Sequence, residues 1–550
     1  MKNKIKKGLA LCLASATVLS TVTLSGCGDP NIGNRSVLSI RYYNGGLGDV
    51  WIKEVAKNFE NMFANVSFEE GKEGVYIQLT PDKQFEDIEQ TVSIGADKND
   101  IYYTPDTSAF DHVGAGVTLD VTDIYTESVY DANGNVKLNA EGNGYEKQTQ
   151  SLRDRANDDV RETYNFGTET APIYYGIPYA DCLSGFIVDY DLFEEEGWND
   201  YEGLNGLPTT VNDFYNLLQR IQRGGYSGFT YSVSHYTPQI IWSIIQKVDG
   251  KEGMGLWNSY QGEYDFNADG TVSDDEKITL ATAYKILDTR GYEAAYKFVN
   301  TMFTKDSNGN AYYDPNVVQG VSYSACQQDF LMSKTSTNRN RIAMIIEGEW
   351  WENEARGTFT SMGNLNSDDG YGKRDFRFMP IPQFSENDKG EKYTIGSHSG
   401  SGELVFVNKK TVEGNAVKEK LAKLWLQYQY STDCLKIFTK NAGSVLPYQY
   451  EMSEAELAEV TPFVRSVWEM HTSDKVEIVR YGDTTQTNEV RLAPVALEFN
   501  AKISGTDYSK GALFSNMLQM AQRGEKISFA DWLAGAHAYY DQSISQAFSD

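Results

Sequence analysis

The sequence predicts an α/β fold built on doubly wound, mainly parallel sheets, and three observations predict it. Short apolar strands alternate with helical stretches through the first hundred residues. The strands end in loops rich in Gly, Pro, Asn, Asp and Tyr, the ends at which such sheets bind ligands. Hydrophobic residues make up 40% of the 550, an ordinary globular share; at roughly 150 residues each, that length suggests two to four domains or lobes.

Each element has its own signal. VLSIRYY (37–43) reads as a strand. From Asp49 a helix follows, because Trp51, Val55, Phe59 and Met62 recur at spacings that share one face. VYIQLT (75–80) alternates as a strand, KQFEDIEQTVSIGAD (83–97) reads as a helix, and NDIYYT (99–104) as the next strand. The strand-end loops YYNGG (42–46) and TPDTSAF (104–110) make Tyr43, Asn44 and Asp106 candidate ligand contacts. Turn formation accounts for Gly45 and Pro105, but not for the paired tyrosines.

The front of the chain predicts its compartment. Lys2, Lys4, Lys6 and Lys7 precede a short apolar run rich in small residues, the layout of a secretory signal peptide over 1–26. The run falls short of the roughly 20 apolar residues a membrane span needs. Leu24-Ser25-Gly26-Cys27 resembles the bacterial lipobox, which implies acylation of Cys27 and a lipidated tether over 27–36. Without 1–26 the chain carries 45 Lys and Arg against 77 Asp and Glu, a net charge of −32. That balance argues against nucleic acid and against docking on anionic lipid, so membrane contact is expected through the anchor only. Cys182, Cys326 and Cys434 are widely separated, which suggests neither a disulfide framework nor a zinc site; they are expected to be buried as small hydrophobes.

Six later phrases, in order, resemble those of bacterial extracellular solute-binding proteins. YGIPYADCLSGFIVDYDLFEEEGW (175–198) resembles the segment where that family crosses between lobes. LPTTVNDFYNLLQRI (207–221) is similar to its next phrase, with Thr210 as helix N-cap and Asp213 in the first turn. NRIAMIIEGEWW (340–351), FRFMPIPQF (376–384), GSGELVFVNKKTVEGNAVKEKLAKLWLQYQYSTDC (400–434) and GSVLPYQY (443–450) follow in the family's order. The resemblance implies two α/β lobes interleaved by three hinge crossings, the type II periplasmic-binding-protein-like fold. The first lobe is expected over 37–178 and 398–449, the second over 179–397 and 450–550. It implies capture of a solute for an ABC importer, with permease subunits as partners, a monomeric chain and no catalytic group.

Composition suggests which solute. Trp, Tyr and Phe make 13% of the chain, and sugar rings offer apolar faces to aromatic rings and hydroxyls to polar groups. Extra length points to an oligosaccharide: the inserted stretches 131–150 and 304–315 either build a wider rim or are inert surface loops. The sugar-binding branch of the family places a stacking Trp where Trp350 and Trp351 stand, and another aromatic where His235, Tyr236 and Trp242 fall. Adjacent residues of an extended chain point opposite ways, so one of Trp350 and Trp351 can be core and the other cleft. Tyr179 and Asp181 fall at the first crossing and His398 at the second; Glu347 and Glu349 fall on the turn before the tryptophans. The rival class is a glycoside hydrolase using Glu347 and Glu349, which share a face if extended. Neighbouring in sequence is weak evidence for such a pair, and no nucleophile-elbow, metal or phosphate motif accompanies it. Peptide binding on the same fold is the other alternative.

DFNADGTVSDDE (265–276) has the spacing of a calcium loop. Asp265, Asn267, Asp269 and Glu276 would supply side-chain oxygens, Thr271 its carbonyl and Ser273 a water contact, around Gly270 at the sharp turn. The alternative is a turn plus a capping box, Ser273 to Glu276, opening a helix through Leu280 and Tyr284. Either way the loop is expected to be structural, with no catalytic cofactor.

Overall fold

The computed structural model describes residues 32–83, 88–105, 109–259, 261–303, 305, 308–384, 393–397, 403–481, 501–503, 506–508 and 528–537. The predicted signal peptide and Cys27 lie outside them. In chain order the principal strands are β1 Ser36–Tyr43, β2 Val75–Asp82, β3 Ile101–Thr104, β4 Ile177–Ala180, β5 Ser184–Asp189, β6 Ser227–Thr230, β7 Ile342–Gly348, β8 Phe376–Met379, β9 Tyr393–Gly396, β10 Glu403–Val407 and β11 Val476–Val479. The helices that matter here are α1 Val50–Met62, α2 Val211–Arg223, α3 Val233–Ser259, α4 Arg290–Met302, α5 Tyr323–Ser333, α6 Ala416–Gln429, α7 Thr432–Ala442 and α8 Pro462–Thr472.

The first sheet runs β2-β1-β3-β10-β4 and the second β8-β5-β7-β6. Both are mixed. β1 lies parallel to β2 and β3, where helices connect successive strands, as parallel neighbours require. β10 is antiparallel to both β3 and β4. Both reach the sheet by long excursions, so no crossover helix fixes their direction. In the second sheet only β6 and β7 are parallel; β5 is antiparallel to β7 and β8.

Alternation along the strands divides the apolar residues between two faces. Ile101, Tyr103, Val405 and Val407 join the core under α1, α6 and α7, while Tyr102 and Phe406 turn to the other face and stack at 5.1 Å. In the second sheet Phe186, Val188, Met344 and Ile346 face α2, α3 and α4, and Ile187 and Ile345 face α5 and α8. A sheet covered on both faces leaves no strand position to solvent, and β5 and β7 are buried at every residue. The three cysteines are buried and unpaired.

Two local expectations change. The helix predicted from Ser273 is absent: Asp274–Glu276 makes one 3-10 turn, Lys277–Ile278 pairs with Gly262–Glu263, and Leu280–Asp288 is again 3-10. The capping box forms, with Ser273 N–H and Oγ on Glu276 at 2.9 Å, but burial of Ile278 and the strand pair extend the chain directly after it. The insertion 131–150 folds against α7 through Thr432, and 310–313 packs on α2 and β6.

The chain passes between the sheets at Asp181–Leu183, again between Gly396 and Glu403, and a third time near 443–452, where Val445 and Met452 enter one core while Leu446 and Tyr448 enter the other. Side chains tie these passages together. Ser397 donates to Asp181 at 3.2 Å, and Cys182 donates to Ser444 at 3.4 Å. Arg480, buried at the end of β11, binds Asp181 and reaches Asp159 at 3.0 Å. Burial works against its charge, but the two carboxylates more than offset that and raise its pKa. Arg480→Met leaves Asp181 buried without a counter-charge. It is expected to cost about 3–5 kcal/mol in urea unfolding, most of it recovered in the Arg480→Met, Asp181→Leu double variant. A loss under about 1 kcal/mol would show the pair to be dispensable.

Candidate functional site between the two sheets

A cavity of about 390 Å3 opens between the sheets. One wall comes from the first sheet: Tyr42 and Tyr43 end β1, Tyr103 lies on β3, Tyr179 and Ala180 on β4, and Glu403 opens β10. Gly46 and Leu47 follow β1, and Trp51 of α1 stands behind. The facing wall holds His235, Tyr236 and Gln239 on α3, Tyr323 at the start of α5, and Trp350 and Glu354 after β7. The crossing residues Asp181 and Cys182 join the walls.

Local backbone features aim these groups. Register shifts between Glu403 and Leu404, which oppose Ala180 and Pro178, leaving Tyr179 as the extra residue of a bulge. Tyr179 donates to Glu403 at 2.8 Å. Gly46 meets the opposite wall: a Cβ there would sit 2.5 Å from the Trp350 ring, and Asn353 donates to the Gly46 carbonyl at 3.1 Å. Tyr236 and Trp350 stack at 6.4 Å with planes 26° apart. His235 meets Tyr323 edge-on at 5.4 Å.

The cavity is rich in carboxyls. Burial pushes the Glu403 carboxyl up to about 7, against which the Tyr179 bond acts weakly. Burial also raises Glu354, opposed by its bond from Gln327 at 2.8 Å and by the field of Lys83. Tyr43 stands near both, its hydroxyl raised by burial and then by Glu403 and Glu354. Among the described residues lining the cavity there is no Lys or Arg. Asp181 differs from the two glutamates, because Arg480 neutralises it.

Of the residues singled out from sequence, Tyr43, Tyr179, Asp181, His235 and Trp350 come together here. Asp106 and His398 lie outside the described residues. Asn44 does not line the cavity; its N–H bonds the Asp82 carbonyl. Trp242 turns from the cavity to pack edge-on against Trp257 at 5.5 Å. Trp351 is fully buried among Phe330, Phe359, Phe376 and Phe463, so the adjacent tryptophans divide between cavity and core. Glu347 is fully buried behind the wall, bonded by Gln327 at 3.1 Å, with burial holding its pKa well above the ordinary range. Glu349 is closed in by His471 and Ser444, each at 2.6 Å. Neither glutamate reaches the cavity, so they form no hydrolytic pair there.

Glu354, Glu403, Tyr323 and Gln239 escaped sequence reasoning. Glu354 lies four residues past Trp350, where a helical turn brings it alongside; Glu403 is a lone acid heading an apolar strand.

The calcium-loop residues lie elsewhere. Asp265 accepts the N–H groups of Asp269 and Gly270, Asn267 accepts that of Asp269, and Asp269 accepts both N–H and Oγ1 of Thr271. The donors are all oxygen, as calcium prefers. Their lone pairs already close the turn, however, and among the described residues no three His, Cys, Asp or Glu side chains are gathered as a metal would need.

A family model described as bacterial extracellular solute-binding protein matches residues 45–433. No curated protein matches in sequence. Solved structures match over nearly the whole chain. The solute-binding protein RafE in complex with raffinose is 13% identical, with 92% of this chain and 100% of that one covered and a TM-score of 0.52. A chitin oligosaccharide binding protein is 15% identical over 89% and 99%, with a TM-score of 0.50. A structure from work on xylan utilization by the thermophilic bacterium Caldanaerobius polysaccharolyticus is 12% identical over 93% and 100%, also at 0.50. At such identities the likeness establishes the fold, two α/β lobes with a cleft between.

The raised Glu403 has a measurable consequence. Its stabilising contribution is complete below the ordinary glutamate value of 4.5 and is lost as pH rises through about 7. Glu403→Gln stays neutral throughout, so the variant's Tm should gain on the unaltered protein's between pH 5 and pH 8. A Tm difference that stays constant across that range would show that Glu403 does not titrate there.

Proposed function

The chain belongs to the bacterial extracellular solute-binding proteins, and we propose that its solute is a saccharide, delivered to an ABC importer. The family is one of extracytoplasmic binding proteins, not enzymes. Among the described residues no helix is long and apolar enough to cross a membrane. Attachment through lipid on Cys27, permease subunits as partners and a monomeric chain complete the proposal. The proposed lobes are 37–178 with 398–449 and 179–397 with 450–550, a division the sheets follow except at β4, Ile177–Ala180, which lies wholly in the first sheet.

The observation that carries the saccharide reading is the wall of aromatic faces next to polar groups. Trp350 stacked on Tyr236 offers a flat apolar surface to the C–H face of a sugar ring. Gln239, Glu354, Glu403 and the tyrosine hydroxyls offer partners to its hydroxyls. RafE with raffinose and the chitin oligosaccharide binding protein share the fold and support the same class of ligand. A cavity of about 390 Å3 is at the small end of ligand sites, usually ~300–1,000 Å3. It suits the end of an oligosaccharide better than its whole length.

Calorimetry against oligosaccharides and peptides tests this reading: saccharide binding is expected, and binding of peptides with no saccharide bound would overturn it. The two tryptophans separate recognition from packing. Trp350→Ala should weaken saccharide binding about tenfold or more, as expected for a desolvated aromatic contact. Trp351→Ala should instead cost about 3–5 kcal/mol of stability. Unchanged affinity in Trp350→Ala would remove the stacking role. Calcium at Asp265–Glu276 is a separate proposal. A bound ion predicts a Tm that falls with chelator and returns with calcium; an unmoved Tm would leave the hydrogen-bonded turn as the whole account of the loop.

A further inference from the structure

Among the described residues, two carboxyls face the cavity with no Lys or Arg bonded to them. Glu403 has the Tyr179 hydroxyl as its hydrogen-bond partner, and Glu354 has the neutral carboxamide of Gln327. Asp181, by contrast, is held by Arg480. No Lys or Arg lines the cavity among the described residues, and Lys83 is the cation whose field reaches Glu354. The two glutamates come from opposite walls, Glu403 from β10 and Glu354 from the turn after β7, with Tyr43 near both. Enclosing a carboxyl in an apolar wall without a cation is costly, and the chain does it twice around one space. Much of the remaining lining is aromatic, including Tyr43, Trp51, Tyr236 and Trp350, whose ring faces are negative. A neutral saccharide offers no charge to complement either feature. A ligand ammonium complements both.

We propose, resting on the saccharide reading above, that the ligand is an amino sugar whose amine is free and protonated, held between Glu403 and Glu354 within the aromatic wall. Burial supports this, since it keeps Glu403 and Glu354 above the ordinary carboxylate range until a cation arrives. The groups around Glu403 are Tyr179, Tyr43 and Cys182; those around Glu354 are Tyr43, Tyr236, Gln327, Glu347 and Lys83.

The test uses a pair of ligands of one backbone that differ in whether the amine is acetylated, and so in its charge. Calorimetry on the full chain compares a chitin oligosaccharide with the glucosamine oligomer of equal length, at about pH 6 where a free amine is charged. A neutral xylan oligosaccharide serves as third probe. The glucosamine oligomer is expected to bind about tenfold or more tightly than either. Glu403→Gln and Glu354→Gln should each bring that preference to within about threefold, while affinity for the N-acetylated oligomer changes less. If one variant fails to fold, the other carries the comparison. Equal or tighter binding of the N-acetylated or neutral oligomer would overturn the amine and leave the saccharide reading standing. Failure of every saccharide to bind would overturn both.

Discussion

A buried guanidinium sits where the chain changes lobes, and the cleft depends on it. Arg480 bonds Asp181 on the first passage and Asp159 in the first lobe, and Asp181 also accepts Ser397 from the second passage. Cys182, one residue on, reaches Ser444 of the third passage, which in turn bonds Glu349 beside Trp350. Three strands of chain that are far apart in sequence thus become one bundle. A hinge needs such a fixed axis, because lobes that move about loosely joined passages would not return cavity walls to the same separation.

The electrostatics follow from that arrangement. Asp181 lines the cavity, yet Arg480 pairs with it from behind the wall, so it belongs to the frame. Glu403 and Glu354 receive hydrogen bonds but, among the described residues, no bonded cation, and burial raises both. The carboxyl group therefore plays two parts, set by what stands behind it. Burial disfavours the charge on both carboxyls, and a donor or cation supplied by a ligand would favour it.

Much of this was legible in the sequence. Periodicity found α1 and the three strands around it, because Trp51, Val55 and Phe59 serve a core face and apolar burial dominates there. Six ordered phrases found the two-lobed family fold. The mixed strand directions were less legible: direction depends on long-range connections, and β5, β7 and β10 read as apolar runs either way. Of the candidate site residues, Tyr43 lines the cavity from a strand end, and Tyr179 and Asp181 line it from the first crossing that the family phrases marked. Trp242, Glu347 and Glu349 were misplaced because rotation about a helix or turn decides facing, and sequence carries that only where periodicity is strong. Glu403 was missed because a bulge opposite it aims it inward, and its sequence, GSGELVF, shows only a Gly-rich approach to an apolar strand.

Gly46 connects recognition to lobe position. It follows β1 in the first lobe, and the Trp350 ring of the second lobe fills the space its missing side chain leaves. Asn353, three residues beyond Trp350, bonds the Gly46 carbonyl. The ring proposed to stack on the sugar is therefore also the ring that touches the opposite lobe. A ligand that orders Trp350 would strengthen both the stacking on Tyr236 and the contact at Gly46, so its binding energy would favour the arrangement in which the walls meet. No separate signal between site and hinge is then required: differential contact with one lobe arrangement is enough to shift the equilibrium towards it.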